Sequence, residues 1–99
     1  MSKQEIRQAI QASVESLPLS ERIQKIRLFG SYLHETAKDD SDIDLLVDFN
    51  QPVSFFQLDD IEQGLQQILG HKVDVVTPKA LSKYFRDQVL GEAEVVYEK

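Results

Sequence analysis

Asp42 and Asp44 are the residues whose type and spacing point most directly to chemistry, within the segment Ser41-Asp42-Ile43-Asp44-Leu45-Leu46-Val47-Asp48-Phe49. In an extended strand, side chains two positions apart share a face with Cα atoms roughly 6.5–7 Å apart. Two carboxylates whose oxygens converge to about 5 Å repel by roughly 3 kcal/mol at an effective dielectric of 20. An oxygen-seeking divalent cation offsets that repulsion. Mg²⁺ in particular takes one or two carboxylates and fills its remaining positions with water and phosphate oxygens. Asp74 is a third candidate, because it interrupts the apolar run Val73-Asp74-Val75-Val76 and leaves Val73 and Val75 on the opposite face. If the two strands are neighbours, Asp42, Asp44 and Asp74 suit a pair of metal ions about 3.5–4 Å apart. Upstream, Gly30-Ser31 closes another short apolar run. A glycine there lets the backbone approach a phosphate, and the serine hydroxyl with the free amides of a helix start can donate to its oxygens.

Two simpler readings compete. Glu35, Asp39, Asp40, Asp42, Asp44 and Asp48 crowd around the single Lys38, and surface solvation accounts for Glu35, Asp39 and Asp40 but not for a carboxylate pair on one strand face. A calcium loop would use Asp40, Asp42 and Asp44 as its first ligands. It then requires Gly where Leu45 stands and Glu where Gln51 stands, in a loop rather than a β-branched run.

These residues must be held by a frame of alternating elements. Ile6, Ala9, Ile10, Val14 and Leu17 make one helical stripe, with Ser2 and Glu5 at capping-box spacing, and the helix ends before Pro18. Ile26 to Phe29 reads as a strand stopped by Gly30, followed by a brief polar helix or turn from Ser31 to about Lys38. Ile43 to Phe49 is the second strand, with Ile43, Leu45, Val47 and Phe49 toward the core. Ser54 and Gln57 cap a helix whose stripe is Leu58, Ile61, Leu65, Ile68 and Leu69, ended by Gly70. Lys72 to Val76 is a third strand. Thr77-Pro78 opens a last helix carrying Leu81, Phe85 and Val89. The tail Glu94-Val95-Val96-Tyr97 is compatible with an added strand or a loosely docked end. This order predicts an α/β (α+β) fold, a small mixed three-stranded sheet flanked by about four helices, as a single domain over residues 1–99.

Composition narrows the function classes. Ninety-nine residues with 41% hydrophobic and 28% charged content describe a folded chain. Eleven Lys plus Arg against seventeen Asp plus Glu leave a net charge of −6, which argues against nucleic acid or an anionic membrane as a direct partner. The absence of cysteine excludes disulfides, zinc-thiolate sites and a thiol nucleophile. No apolar run approaches the roughly 20 residues needed to span a bilayer, and the start MSKQEIRQ lacks the apolar stretch of a signal peptide. The expected location is cytoplasmic.

Gly30-Ser31, ten intervening residues, then Asp42-Ile43-Asp44 resembles the G-S-x10-D-x-D signature of the DNA-polymerase-β-like nucleotidyltransferase superfamily, with Asp74 matching its third carboxylate. The short chain and the stretch FGSYLHETAKDDSDIDLLVDF are similar to the minimal nucleotidyltransferases, the MntA-type antitoxins encoded beside HEPN-domain ribonuclease toxins. The resemblance implies the nucleotidyltransferase fold and transfer of AMP from ATP to a tyrosine of a cognate HEPN toxin, neutralising it. It implies that Asp42, Asp44 and Asp74 bind two Mg²⁺ ions and carry catalysis, with Asp74 helping to deprotonate the acceptor, while Gly30 and Ser31 hold phosphates. An antitoxin that acts by binding and occluding the toxin is the alternative. One departure stands out: many relatives continue Gly-Ser-x-x-Arg-Gly, and this chain has His34-Glu35 there. His34 and His71 read as surface and turn residues, and Phe55 and Phe56 as core or helix-start packing, with a partner surface as the alternative. Tyr32, Tyr84 and Tyr97 have no role assignable from sequence.

Overall fold

The computed structural model describes all residues from Met1 to Lys99. Helix α1 (Lys3–Ser13) starts at a complete capping box, in which Ser2 Oγ accepts from the Glu5 amide at 3.2 Å and the Ser2 amide donates to Glu5 at 3.0 Å. A short 3₁₀ turn, Val14–Ser16, carries the stripe on to buried Leu17. Strand β1 (Ile23–Phe29) is followed by β2 (Ile43–Phe49), α2 (Phe55–Leu69), β3 (Val73–Val76), α3 (Lys83–Glu92) and β4 (Glu94–Glu98). Helix α2 has the second capping box, Ser54 with Gln57, and ends on Gly70 at φ 65°, the left-handed conformation that glycine adopts without a Cβ penalty.

The sheet has four strands in the order β3-β2-β1-β4, with β2 and β3 parallel and the other pairs antiparallel. One expectation is thereby corrected: the sheet is four-stranded rather than three-stranded. The tail pairs with β1 because Val96 inserts into the core at 1% exposure, and Gln11 Nε2 of α1 donates to the Val96 carbonyl at 3.1 Å. The helix count is also lower. Three α-helices form, and residues 31–38 make a turn rather than a fourth helix. The last helix begins at Lys83, capped by Ser82, whereas Pro78 opens only a 3₁₀ turn.

One face of the sheet holds the core. Ile26 and Leu28 of β1, Ile43, Leu45 and Val47 of β2, and Val73 and Val75 of β3 meet Ile6 and Ile10 of α1 and Ile61, Leu65 and Leu69 of α2. Each such side chain contributes about 1.5–3 kcal/mol by leaving water. The period-two pattern of β2 then sends Asp44, Leu46 and Asp48 to the opposite face. Leu46 is nonetheless fully buried there, outside the main cluster, beside its partners Arg27 and Val76. Phe55 and Phe56 stand at the start of α2 as expected but do not join the core: each is 82% exposed. Helix α3 has no buried residue, with Phe85 of its expected stripe 60% exposed.

Candidate active site

The strand register assembles the site. Asp44 lies opposite Phe29 on β1 and opposite Asp74 on parallel β3, so Asp44 and Asp74 share the face turned away from the core. Asp42 precedes the first residue of β2 instead of lying within it. The Ile43 amide, between the two aspartates, donates to the Lys72 carbonyl at 2.9 Å and fixes the start of the β2–β3 pairing. Asp42 and Asp44 are partly buried and Asp74 is exposed.

The electrostatics of the trio concentrate on Asp44. Its carboxyl is raised from 3.8 to about 6, first by burial and then by the negative charges of Asp74 and Asp42. A carboxylate that loses hydration while facing two like charges holds its proton to a higher pH than a free one. The three do not converge into a ready-made cage: no group of three Asp, Glu, His or Cys side chains stands close enough to hold a metal ion.

Gly30 ends β1 at φ 76°. A Cβ built there would collide with Asp44 Oδ2 and stand 3.0 Å from Asp44 Cγ. The carboxylate therefore rests directly against the glycine backbone. The turn that follows is held by the Leu33 and His34 amides donating to the Gly30 carbonyl at 3.1 and 3.3 Å and the Thr36 amide donating to the Ser31 carbonyl at 2.9 Å. The amides of Ser31 and Tyr32 donate to no backbone or side-chain acceptor within the chain. A turn carries no helix macrodipole, so any anion bound here relies on local donors, the Ser31 hydroxyl and these two amides.

Tyr32 supplies the anchor that sequence reasoning left without a role. It is 5% exposed and meets the His71 ring edge-on, with centroids 6.2 Å apart. It thus pins the Gly30-Ser31 turn to the segment leading into β3. Its signal was the apolar pair Tyr32-Leu33 directly after Gly-Ser, of which Leu33 also packs against the core. His34, as expected, is exposed; its Nε2 lies 3.2 Å from Glu92 Oε2 at the end of α3. Glu35 takes the left-handed conformation at φ 59°. A cleft of about 480 Å³ bounded by Met1, Lys3, Tyr32, Glu35, Lys38 and His71 lies next to the turn in sequence but includes none of the three aspartates. Asp44 and Asp74 stand side by side on adjacent strands, with Asp42 just before the start of β2.

The donor set fits hard divalent cations. Asp42, Asp44 and Asp74 offer only oxygen, and the carboxyl of Asp44, raised first by burial and then by the charges of Asp74 and Asp42, is one whose charged form a cation would stabilise.

Comparison with known proteins adds independent information. Residues 11–99 match the family model described as polymerase beta, nucleotidyltransferase. The chain belongs to that nucleotidyltransferase family. It is similar to the protein adenylyltransferase MntA of Thermococcus cleftensis, with 35% identity over 97 residues that cover 98% of this chain and 96% of the relative. A solved structure described as a minimal nucleotidyltransferase is 34% identical over 94% of both chains, with a TM-score of 0.78. The fold also recurs in a complex of tri-AMPylated Shewanella oneidensis HEPN toxin with its MNT antitoxin, at 23% identity and a TM-score of 0.67, where the match covers all of this chain and 74% of the other. The mixed sheet, the strand-turn-strand bearing Gly30 and Asp44, and the crossover helix α2 are thus the nucleotidyltransferase frame.

Proposed function

We propose that this nucleotidyltransferase is an antitoxin that transfers AMP from ATP to a tyrosine of a cognate HEPN ribonuclease toxin. The observation that carries the reading is the placement of Asp44 against Gly30 and in register with Asp74. The same carboxylate packs against the glycine backbone on one side and lies beside its acidic neighbour on β3 on the other. The MntA relative and the AMPylated toxin complex support the acceptor class.

Asp42, Asp44 and Asp74 would hold two Mg²⁺ ions, which when bound neutralise triphosphate charge and lower the pKa of the attacking hydroxyl. The protein's own residues do the rest. Gly30 lets the triphosphate approach the backbone, and the Ser31 hydroxyl with the Ser31 and Tyr32 amides donates to its oxygens. Asp74, exposed on the outer strand, faces the incoming acceptor and takes its proton. The tyrosine oxygen bonds to the α-phosphorus as the bond from that phosphorus to the bridging oxygen breaks, and pyrophosphate leaves with the electron pair. The rate then comes mainly from positioning and from charge neutralisation.

A binding-only antitoxin is the second reading, favoured by the open spacing of the carboxylates and by the net charge of −6, suited to covering a basic face. Intact mass spectrometry of the HEPN partner after incubation with this protein, ATP and Mg²⁺ separates the two. Addition of one or more AMP masses by the parent, and none by Asp42→Asn/Asp44→Asn, supports transfer. An unchanged mass together with a tight complex and lost ribonuclease activity supports occlusion.

A further inference from the structure

Strand β3 is four residues long, lies at the edge of the sheet and pairs only with β2. Residues of such a strand alternate between bonding the neighbour and pointing their backbone outward. Lys72 directs its carbonyl to β2, so Asp74, two residues on, also bonds inward. Val73 and Val75 present their backbone to the open side. A short edge strand with free outer amides frays readily, and fraying here would displace Asp74.

Glu62 closes that edge. It stands on the second turn of α2, next to core residue Ile61, and its Oε2 accepts the Val75 amide at 2.9 Å in a partly buried contact. The peptide carrying this amide is the one that joins Asp74 to Val75, so the bond acts directly on the backbone of the candidate ligand. A hydrogen bond from a backbone amide to a charged carboxylate is stronger than a neutral one. The helix supplying it is anchored in the core by Ile61, Leu65 and Leu69.

We propose that Glu62 is a positioning residue for Asp74, holding β3 against β2 so that Asp74 stays in register with Asp44. The inference rests on the reading of Asp74 as a functional carboxylate and extends it to a residue that touches neither nucleotide nor metal.

The opposite edge of the sheet provides an internal control. Gln11 of α1 makes a comparable bond to the backbone of β4, to the Val96 carbonyl at 3.1 Å, on a strand that carries no candidate site residue. Glu62→Ala, Glu62→Gln and Gln11→Ala are therefore compared with the parent by three measurements on the full chain: AMP transfer to the HEPN partner, Mn²⁺ binding by electron paramagnetic resonance, and exchange of the Val75 amide by NMR. Loss of a residue that orients a metal ligand characteristically lowers metal affinity or activity by about 10- to 100-fold. Glu62→Ala is expected to speed Val75 exchange and to lower Mn²⁺ affinity and kcat by at least about tenfold, on that scale. Glu62→Gln, which keeps an acceptor, restores most of each. Gln11→Ala lowers thermal stability but leaves Mn²⁺ affinity and kcat near the parent values. The proposal is overturned if Glu62→Ala binds Mn²⁺ and transfers AMP like the parent, or if Gln11→Ala loses as much as Glu62→Ala. A parent protein that binds Mn²⁺ but transfers nothing would sink the transferase reading, leaving the Mn²⁺ and exchange data to judge Glu62.

Discussion

The carboxylate of Asp44 fills the space that a Cβ at residue 30 would occupy. The two positions are therefore coupled, and their register partners extend the coupling to Phe29 and Asp74. Gly30→Ala places a methyl against the carboxylate and also puts a Cβ on a backbone at φ 76°. The expected cost is about 1–3 kcal/mol of stability, seen in urea unfolding, with loss of AMP transfer. A variant that is fully active and equally stable would show that the close approach is unimportant.

Asp44→Asn is expected to stabilise the fold at neutral pH. The unfolded chain releases the Asp44 proton near 3.8 and the folded chain near 6, so between these values the folded state binds more protons and stability falls as pH rises. The contribution is favourable below pH 4, declines through pH 6 and stays lost above it. Asparagine has no such titration. Thermal melts should place the variant above the parent at pH 7.5, with the gap closing toward pH 4. Millimolar Mg²⁺ should narrow the gap at pH 7.5 by stabilising the parent.

Ser31→Ala tests the phosphate turn. Ser31 takes part in hydrogen bonds within the chain only through its backbone carbonyl, which accepts from Thr36, so removal of the hydroxyl should leave the melting temperature unchanged. Loss of one hydrogen bond to a charged oxygen, worth about 1.5–3 kcal/mol, should weaken ATP binding at least tenfold by calorimetry. Unchanged affinity would place the triphosphate elsewhere.

Leu46→Ala and Phe55→Ala should differ sharply. Leu46 is fully buried on the Asp44 face, whereas Phe55 is 82% exposed. Truncating the leucine should cost about 2–5 kcal/mol, and truncating the phenylalanine within about 0.5 kcal/mol, both by denaturant unfolding. Equal effects would contradict the packing described.

Residue order alone determined a good deal of this protein. The capping boxes of α1 and α2, the glycine stop of α2 and the alternation of β2 are local signals set by backbone hydrogen-bond needs and side-chain period. The spacing from Gly30-Ser31 to Asp42 and Asp44 was equally legible, as was Asp74 breaking its apolar run. The tertiary structure decided the rest, because those outcomes depend on contacts distant in sequence. Val95 and Val96 could have been tail or strand until β1 presented an unpaired edge. Residues 31–38 form a turn because Tyr32 is drawn into the core beside His71. The aspartates acquire unequal character only in space: Asp44 is desolvated between two charges while Asp74 stays open to water, and Glu62 meets the Val75 amide only once α2 folds back over β3.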